Sequence, residues 1–175
     1  MEPSDLPIVH ALVNSSPMNA TWRFRGRFVP SFDIERIVAE AALTCLGFAG
    51  GSTPVGLYQV FDHQPLDRHA QVSVLASADS RLLGYGAEGA LLFVGLAFAQ
   101  LDLRKLYFLL SDASDSQVGA TLARFTSEEG RMRQHVLLDG AWQDVVIRAM
   151  YRPDYVRMIS EPQFRGCFPI DLVRE

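Results

Sequence analysis

Lysine is nearly absent from this chain: 15 of its 16 basic residues are Arg and only Lys105 is Lys, which looks like coding bias more than function. A surplus of positive charge is absent as well. With 20 acidic residues the net charge is −4, which argues against the strongly basic face of a nucleic-acid-binding domain. Cysteine is scarce, and Cys45 and Cys167 stand too far apart to suggest a metal site or a disulfide framework. No metal is therefore expected, and the cytosol is the expected compartment. Long hydrophobic runs are missing too. The most apolar stretch, residues 89–99, falls well short of the ~20 residues that span a bilayer, so it reads as a buried helix and no membrane partner is expected. The N-terminal Met1-Glu-Pro-Ser-Asp5 is acidic where a signal peptide would be basic.

What is present is an ordinary soluble composition. Apolar residues make up 49% and charged residues 21%, close to the globular average. A chain of 175 residues fits one domain and buries enough surface to need no staple. No repeat, low-complexity tract or interior linker interrupts it. Residues 1–160 are expected to form the domain, with 161–175 an irregular tail.

Ser4-Asp5 ahead of Leu6, Ile8, Val9, Leu12 and Val13 predicts a capped helix, closed by Asn14-Ser-Ser-Pro17. Residues 21–28 alternate and carry Arg23, Arg25 and Arg27 on one face of a short strand. That face would be solvated, or would meet an acidic group or the phosphate of a carrier. Ser31 is placed as the cap of a second helix through about Ala42, with Ile34, Ile37, Val38 and Ala41 on one stripe. Residues 43–48 and 55–61 flank Gly50-Gly-Ser-Thr-Pro54, a strand-turn-strand signal. A strand over 69–75, a helix over 84–100 and a buried strand over 105–110 make a parallel βαβ crossover. A helix over 115–125 follows. Strands 129–138 and 141–151 then form a hairpin about Asp139-Gly140, and Pro153-Asp154 opens a last short helix. The expected class is α/β, with a mixed sheet.

The informative segment is Arg81-Leu-Leu-Gly84-Tyr-Gly86-Ala-Glu88, between a strand and the long helix. Two glycines opening a helix let the backbone approach a ligand closely, with free N–H groups aimed at an anion such as a pyrophosphate. No Lys-Ser/Thr follows, so it is not a Walker loop, and the first glycine of a dinucleotide fingerprint is missing. With 15 Arg and 13 Gly in 175 residues, Arg-x-x-Gly-x-Gly arises by chance roughly 0.08 times (15 × 13/175 × 13/175), so its context carries the reading.

In that context Arg81-x-x-Gly84-x-Gly86 resembles the Arg/Gln-x-x-Gly-x-Gly/Ala signature of the GNAT superfamily of N-acetyltransferases. Further likeness to the ribosomal-protein N-terminal acetyltransferase branch lies in several stretches. They are Gly84-Tyr-Gly-Ala-Glu88-Gly-Ala, Ala97-Phe98, Leu103-Arg-Lys-Leu-Tyr107, Phe125-Thr-Ser-Glu-Glu-Gly130-Arg-Met-Arg133 and Asp139-Gly-Ala-Trp-Gln-Asp144. The likeness runs from about residue 4 to about residue 155. It implies a GNAT-like mixed, mostly antiparallel sheet with a central parallel βαβ unit and flanking helices. It also implies acetyl-CoA as co-substrate and an amine as acceptor. The amides of Leu82, Leu83, Gly84, Tyr85 and Gly86 would hold the pyrophosphate, with Arg81 adding charge. Val74 and Leu75 would line the pantetheine, and the cleft between strands 69–75 and 105–110 would hold the thioester.

Two departures from the family pattern stand out. Helix-like sequence begins almost at Met1, where the family usually opens with a strand. The Tyr that protonates the thiolate in many relatives is also missing, because no Tyr lies between Tyr107 and Tyr151. Hydroxyls at Ser114, Ser116 or Thr121 are then candidates for the acid, or else ordinary residues of a helix start.

For the base, a two-residue turn at Asp139-Gly140 places Leu138 opposite Ala141 and, counting back, His135 opposite Asp144. A carboxylate beside an imidazole fixes its tautomer and raises its basicity, although such a pair also occurs as a plain cross-strand contact. His69, sharing a strand face with Gln71 and Ser73, is the other candidate. The expected function is direct acetyl transfer from acetyl-CoA to a primary amine, on a protein N-terminus or a small molecule. The rivals are a non-catalytic acyl-CoA-binding module and an acyltransferase that uses a carrier-bound thioester. The acceptor's identity and the oligomeric state, a homodimer included, stay open.

Overall fold

The structure is a computed structural model that describes residues 2–15, 27–77, 79 and 83–164, without the side chains of residues 83 and 117–121. The expected strand over 21–28 lies largely outside the described residues, as does most of the tail. A 3-10 turn, Pro3–Asp5, leads into α1 (Leu6–Val13), and the Glu2 N–H donates to the Asp5 carboxylate at 2.8 Å. Asn14 ends α1. Its amide donates to the carbonyls of His10 and Val29, and its side-chain oxygen accepts the Val29 N–H at 2.8 Å. One side chain therefore both caps α1 and anchors the chain that enters the next helix.

That helix, α2 (Ser31–Ala39), takes Pro30 as its N-cap, so Ser31 is its first residue and not the expected cap. It also stops short of the expected Ala42. The Ala42 N–H donates instead to the Val60 carbonyl at 2.8 Å, which commits that residue to the sheet. Strand β1 (Leu43–Ala49) turns through Gly50 and Gly51, both at positive φ, into β2 (Thr53–Gln64). Then come β3 (His69–Ala76), α3 (Leu83–Gln100), β4 (Lys105–Ser111) and α4 (Asp112–Ala123). The chain closes with β5 (Ser127–Leu138), β6 (Ala141–Tyr151), α5 (Arg152–Ile159) and a 3-10 turn over Pro162–Phe164. Helix α4 starts three residues before the expected Asp115, because the Ser111 hydroxyl accepts the Ser114 N–H at 3.2 Å and so acts as its cap.

The six strands form one mixed sheet in the order β1-β2-β3-β4-β6-β5. Strands β3 and β4 run parallel, joined by α3 as the expected βαβ crossover. Their ladder is short: His69, Ala70 and Gln71 pair with Lys105, Leu106 and Tyr107. Strand β6 runs antiparallel to both β4 and β5. This is the predicted class.

The chain divides into two compact units, one of Met1–Asp62 with Ser73–Phe93, the other of His63–Val72 with Val94–Glu175. In the first, Val9, Leu12, Val13, Ile34, Ile37 and Leu75 pack into one buried cluster. In the second, Phe98, Leu106, Met150 and Tyr155 are almost fully buried. Burying each large side chain of this kind contributes about 1.5–3 kcal/mol. No described helix is long and apolar enough to cross a membrane.

Candidate functional site

Helix α3 begins at Leu83, directly after the segment that follows β3. The N–H groups of the first turn of a helix have no partner within it, so those of residues 83–85 carry the positive end of the helix dipole. Arg81 and Leu82 lie outside the described residues, and of Leu83 only the backbone is described. The two glycines of the signature differ in surroundings. Gly84 is exposed, and a Cβ built there meets no atom within 4 Å. Gly86 is buried, and a Cβ there would stand 3.1 Å from the Ala76 Cβ and 3.6 Å from the Val55 carbonyl oxygen. Gly84 thus leaves room on the solvent side, whereas Gly86 lets the helix lie close to the sheet. Gly86→Ala should therefore lower stability by about 1 kcal/mol in a urea titration, while Gly84→Ala should not.

Tyr85 is exposed, as is Val74 on β3, but Leu75 points the other way into the core at 1% exposure. Strand alternation separates the two residues that were expected to line the pantetheine together. Of the two, Val74 alone is exposed.

Tyr58 on β2 holds this region together. It is 2% exposed, its hydroxyl donates to the Gly86 carbonyl at 3.1 Å, and its ring packs on Phe93 with centroids 5.8 Å apart. Glycines make the slot for that ring. A Cβ at Gly47 would stand 2.9 Å from the ring, one at Gly56 would stand 2.8 Å from the hydroxyl, and one at Gly89 would overlap the hydroxyl. Burial pushes the phenol up to about 12, so it stays a donor.

A second cluster, in the other unit, escaped the sequence reading. Lys105 is 7% exposed, and its ammonium meets the Glu129 carboxylate at 2.6 Å. Tyr107 and Tyr151 donate their hydroxyls to the same carboxylate at 2.8 and 2.7 Å. The ammonium also lies over both rings, 4.4 Å from the Tyr107 centroid and 5.5 Å from that of Tyr151. Burial would raise the Glu129 pKa, but the hydrogen bonds from Lys105, Tyr151 and Tyr107 overcome it and hold the carboxyl down to about 2. A group this firmly ionised is no general base at neutral pH. His69 borders the cluster, its ring edge-on to Tyr107 at 5.5 Å and its Nδ1 buried without a hydrogen bond among the described residues.

The hairpin begins as predicted: Leu138 faces Ala141, Leu137 faces Trp142 and Val136 faces Gln143. The next registered pair is Met132 with Val145, so residues 133–135 bulge out opposite Asp144 alone. Gln134 takes a positive φ of 47° in that bulge and donates its N–H to Asp144 at 2.8 Å. The expected His135–Asp144 pair is thereby corrected. No hydrogen bond or ion pair joins them among the described residues, and His135 is exposed. Asp144 instead lies 3.6 Å from Arg131, which also meets Asp112 at 2.7 Å.

Helix α4 is tied to the sheet by Arg148, which grips Asp115 with two nitrogens. Hydrogen bonding from Arg148, working against burial, holds the Asp115 carboxyl below its usual range. Ser116 donates its hydroxyl to the Asp112 carbonyl at 2.8 Å, and Ser114 meets Ser111 at 3.1 Å. Both serines are engaged within the first turn of α4. The side chain of Thr121 lies outside the description. Among the described residues no three His, Cys, Asp or Glu side chains gather as metal ligands.

No protein-family model matches the chain, and no curated protein matches it. Solved structures do. The spermidine N-acetyltransferase of Vibrio cholerae in complex with CoA and spermine matches with a TM-score of 0.74 at 18% identity, over 89% of this chain and 95% of that one. The spermidine/spermine N-acetyltransferase of the same organism in complex with manganese ions matches with a TM-score of 0.67 at 20% identity, over 92% of this chain and 94% of that one. These neighbours lend no support to the ribosomal-protein branch. The likeness covers most of both chains, and the mixed sheet with its parallel β3–β4 pair and flanking helices matches the GNAT fold.

Proposed function

We propose that the protein is an acetyl-CoA-dependent N-acetyltransferase acting on a small primary amine. The likeness to a CoA-bound N-acetyltransferase, over 89% of this chain, carries the reading. Residues 83–85 supply amide N–H groups of the kind a pyrophosphate needs, beside an open face at Gly84. In the reaction the amine nitrogen bonds to the thioester carbon and the C–S bond breaks. The amine gives up one proton and the thiolate takes one, so the products are an amide and a free thiol. A thiol's ordinary pKa of about 8.5 makes the leaving group undemanding, and water suffices as acid where Ser116 is engaged elsewhere. The neighbour's spermine supports a small amine over a protein N-terminus as acceptor.

We assign the base to His69, whose ring is set by Tyr107, over His135, whose expected partner Asp144 is taken by Gln134. His135→Ala should leave the acidic limb of the pH–rate profile in place, and His69→Ala should remove it. The reverse pattern would return the role to the bulge.

Thiol release from acetyl-CoA against polyamine, aminoglycoside and peptide panels tests the function. Release with a polyamine or aminoglycoside is expected. Release with peptides alone would move the acceptor to protein N-termini. Binding of coenzyme A without release under any condition would leave a non-catalytic module.

A further inference from the structure

We infer that Tyr58 is a positioning residue for the coenzyme A pyrophosphate, setting the first turn of α3 at the height where its free amides meet the anion. The inference rests on the function proposed above and adds a residue to it. Tyr58 lies on β2, outside the signature, and its hydroxyl donates to the carbonyl of Gly86, the signature's second glycine, at 3.1 Å. The contact is closely fitted on all sides. A Cβ at Gly56 would stand 2.8 Å from the hydroxyl, one at Gly89 would overlap it, and one at Gly47 would press on the ring at 2.9 Å. The ring is held from the helix side by Phe93. A helix displaced along this seam would lengthen the hydrogen bond and disturb the fit of the phenol against Gly89. Because the phenol is pushed up to about 12, no pH near neutrality removes the donor.

Orientation matters here because amides aimed at an anion act through geometry, and a small misplacement weakens several hydrogen bonds at once. The same helix carries a built-in control. Tyr155 is 1% exposed and packs against Gly95 nearer the C-terminal end of α3, where a Cβ would overlap its hydroxyl. Removing that oxygen is the same chemical change, made away from the amides.

The experiment compares Tyr58→Phe with Tyr155→Phe, reading the Kd for coenzyme A by calorimetry, the KM for acetyl-CoA, kcat and the thermal midpoint. Tyr58→Phe should raise Kd and KM about fivefold, the loss of one neutral hydrogen bond, with kcat little changed. Tyr155→Phe should leave Kd at the parent value even where its thermal midpoint falls as far. Equal effects of the two variants on Kd, or parental binding by Tyr58→Phe, would overturn the positioning role. Failure of the parent protein itself to bind coenzyme A would overturn the proposed function first, and this inference with it.

Discussion

Gly84→Val is expected to abolish coenzyme A binding while leaving the protein as stable as its parent. The two halves of that result have separate causes. Folding tolerates the change because a Cβ at Gly84 meets nothing within 4 Å and the residue has no positive φ. Valine is also a somewhat better helix former than glycine, so the first turn of α3 loses nothing. Binding does not tolerate it. The exposed backbone at Gly84 is where an anion would come within hydrogen-bond distance of N–H groups, and a branched side chain there holds the phosphate away. Losing two or more charge-assisted hydrogen bonds costs about 100-fold or more in Kd. Gly86→Val would show a similar loss of binding for a less informative reason, since its Cβ collides with β3. Calorimetry with coenzyme A beside a thermal melt separates the two glycines. Normal binding by Gly84→Val would remove α3 from the pyrophosphate site.

Acid should unfold this protein early, and Glu129 should account for a good part of that. Its carboxyl is held at about 2 in the folded chain against an ordinary 4.5, and because solvent reaches this exposed residue the gap is worth about 1 kcal/mol. A depressed carboxylate stabilises the fold above its unfolded pKa, and the contribution drains away as pH falls from about 4.5 towards 2. Glu129→Gln should lose about 1–2 kcal/mol at pH 7, because Lys105 is left buried without a charged partner. The same variant should show a flatter dependence of stability on pH below 5. Urea titrations at pH 7 and pH 3 on both proteins check this. A variant that kept the parent's steep acid limb would place that limb elsewhere.

Much of the fold was legible because it is written in local signals. Asp139-Gly140 set the hairpin turn and its first three pairs, and Gly50-Gly51 set the β1–β2 turn. The apolar run in α3, flanked by two strand patterns, read correctly as a crossover. What failed depended on partners distant in sequence or on broken periodicity. A one-to-one register carried His135 to Asp144, but a bulge held by the Gln134 N–H is invisible to alternation. Glu129 likewise sits where the register shifts between Glu128 and Gly130, and its three donors come from β4 and β6. One signal did point there: in an Arg-rich chain the single Lys is the residue buried between two tyrosine rings. The Tyr58 slot draws glycines from three separate elements, which no local pattern assembles.

The central claim is that acetyl-CoA is held by the first turn of α3. A calorimetric titration of acetyl-CoA into the parent protein tests it most directly. The account predicts saturable binding at one site per chain, competed by coenzyme A. Absence of saturable heat from the folded protein would contradict it.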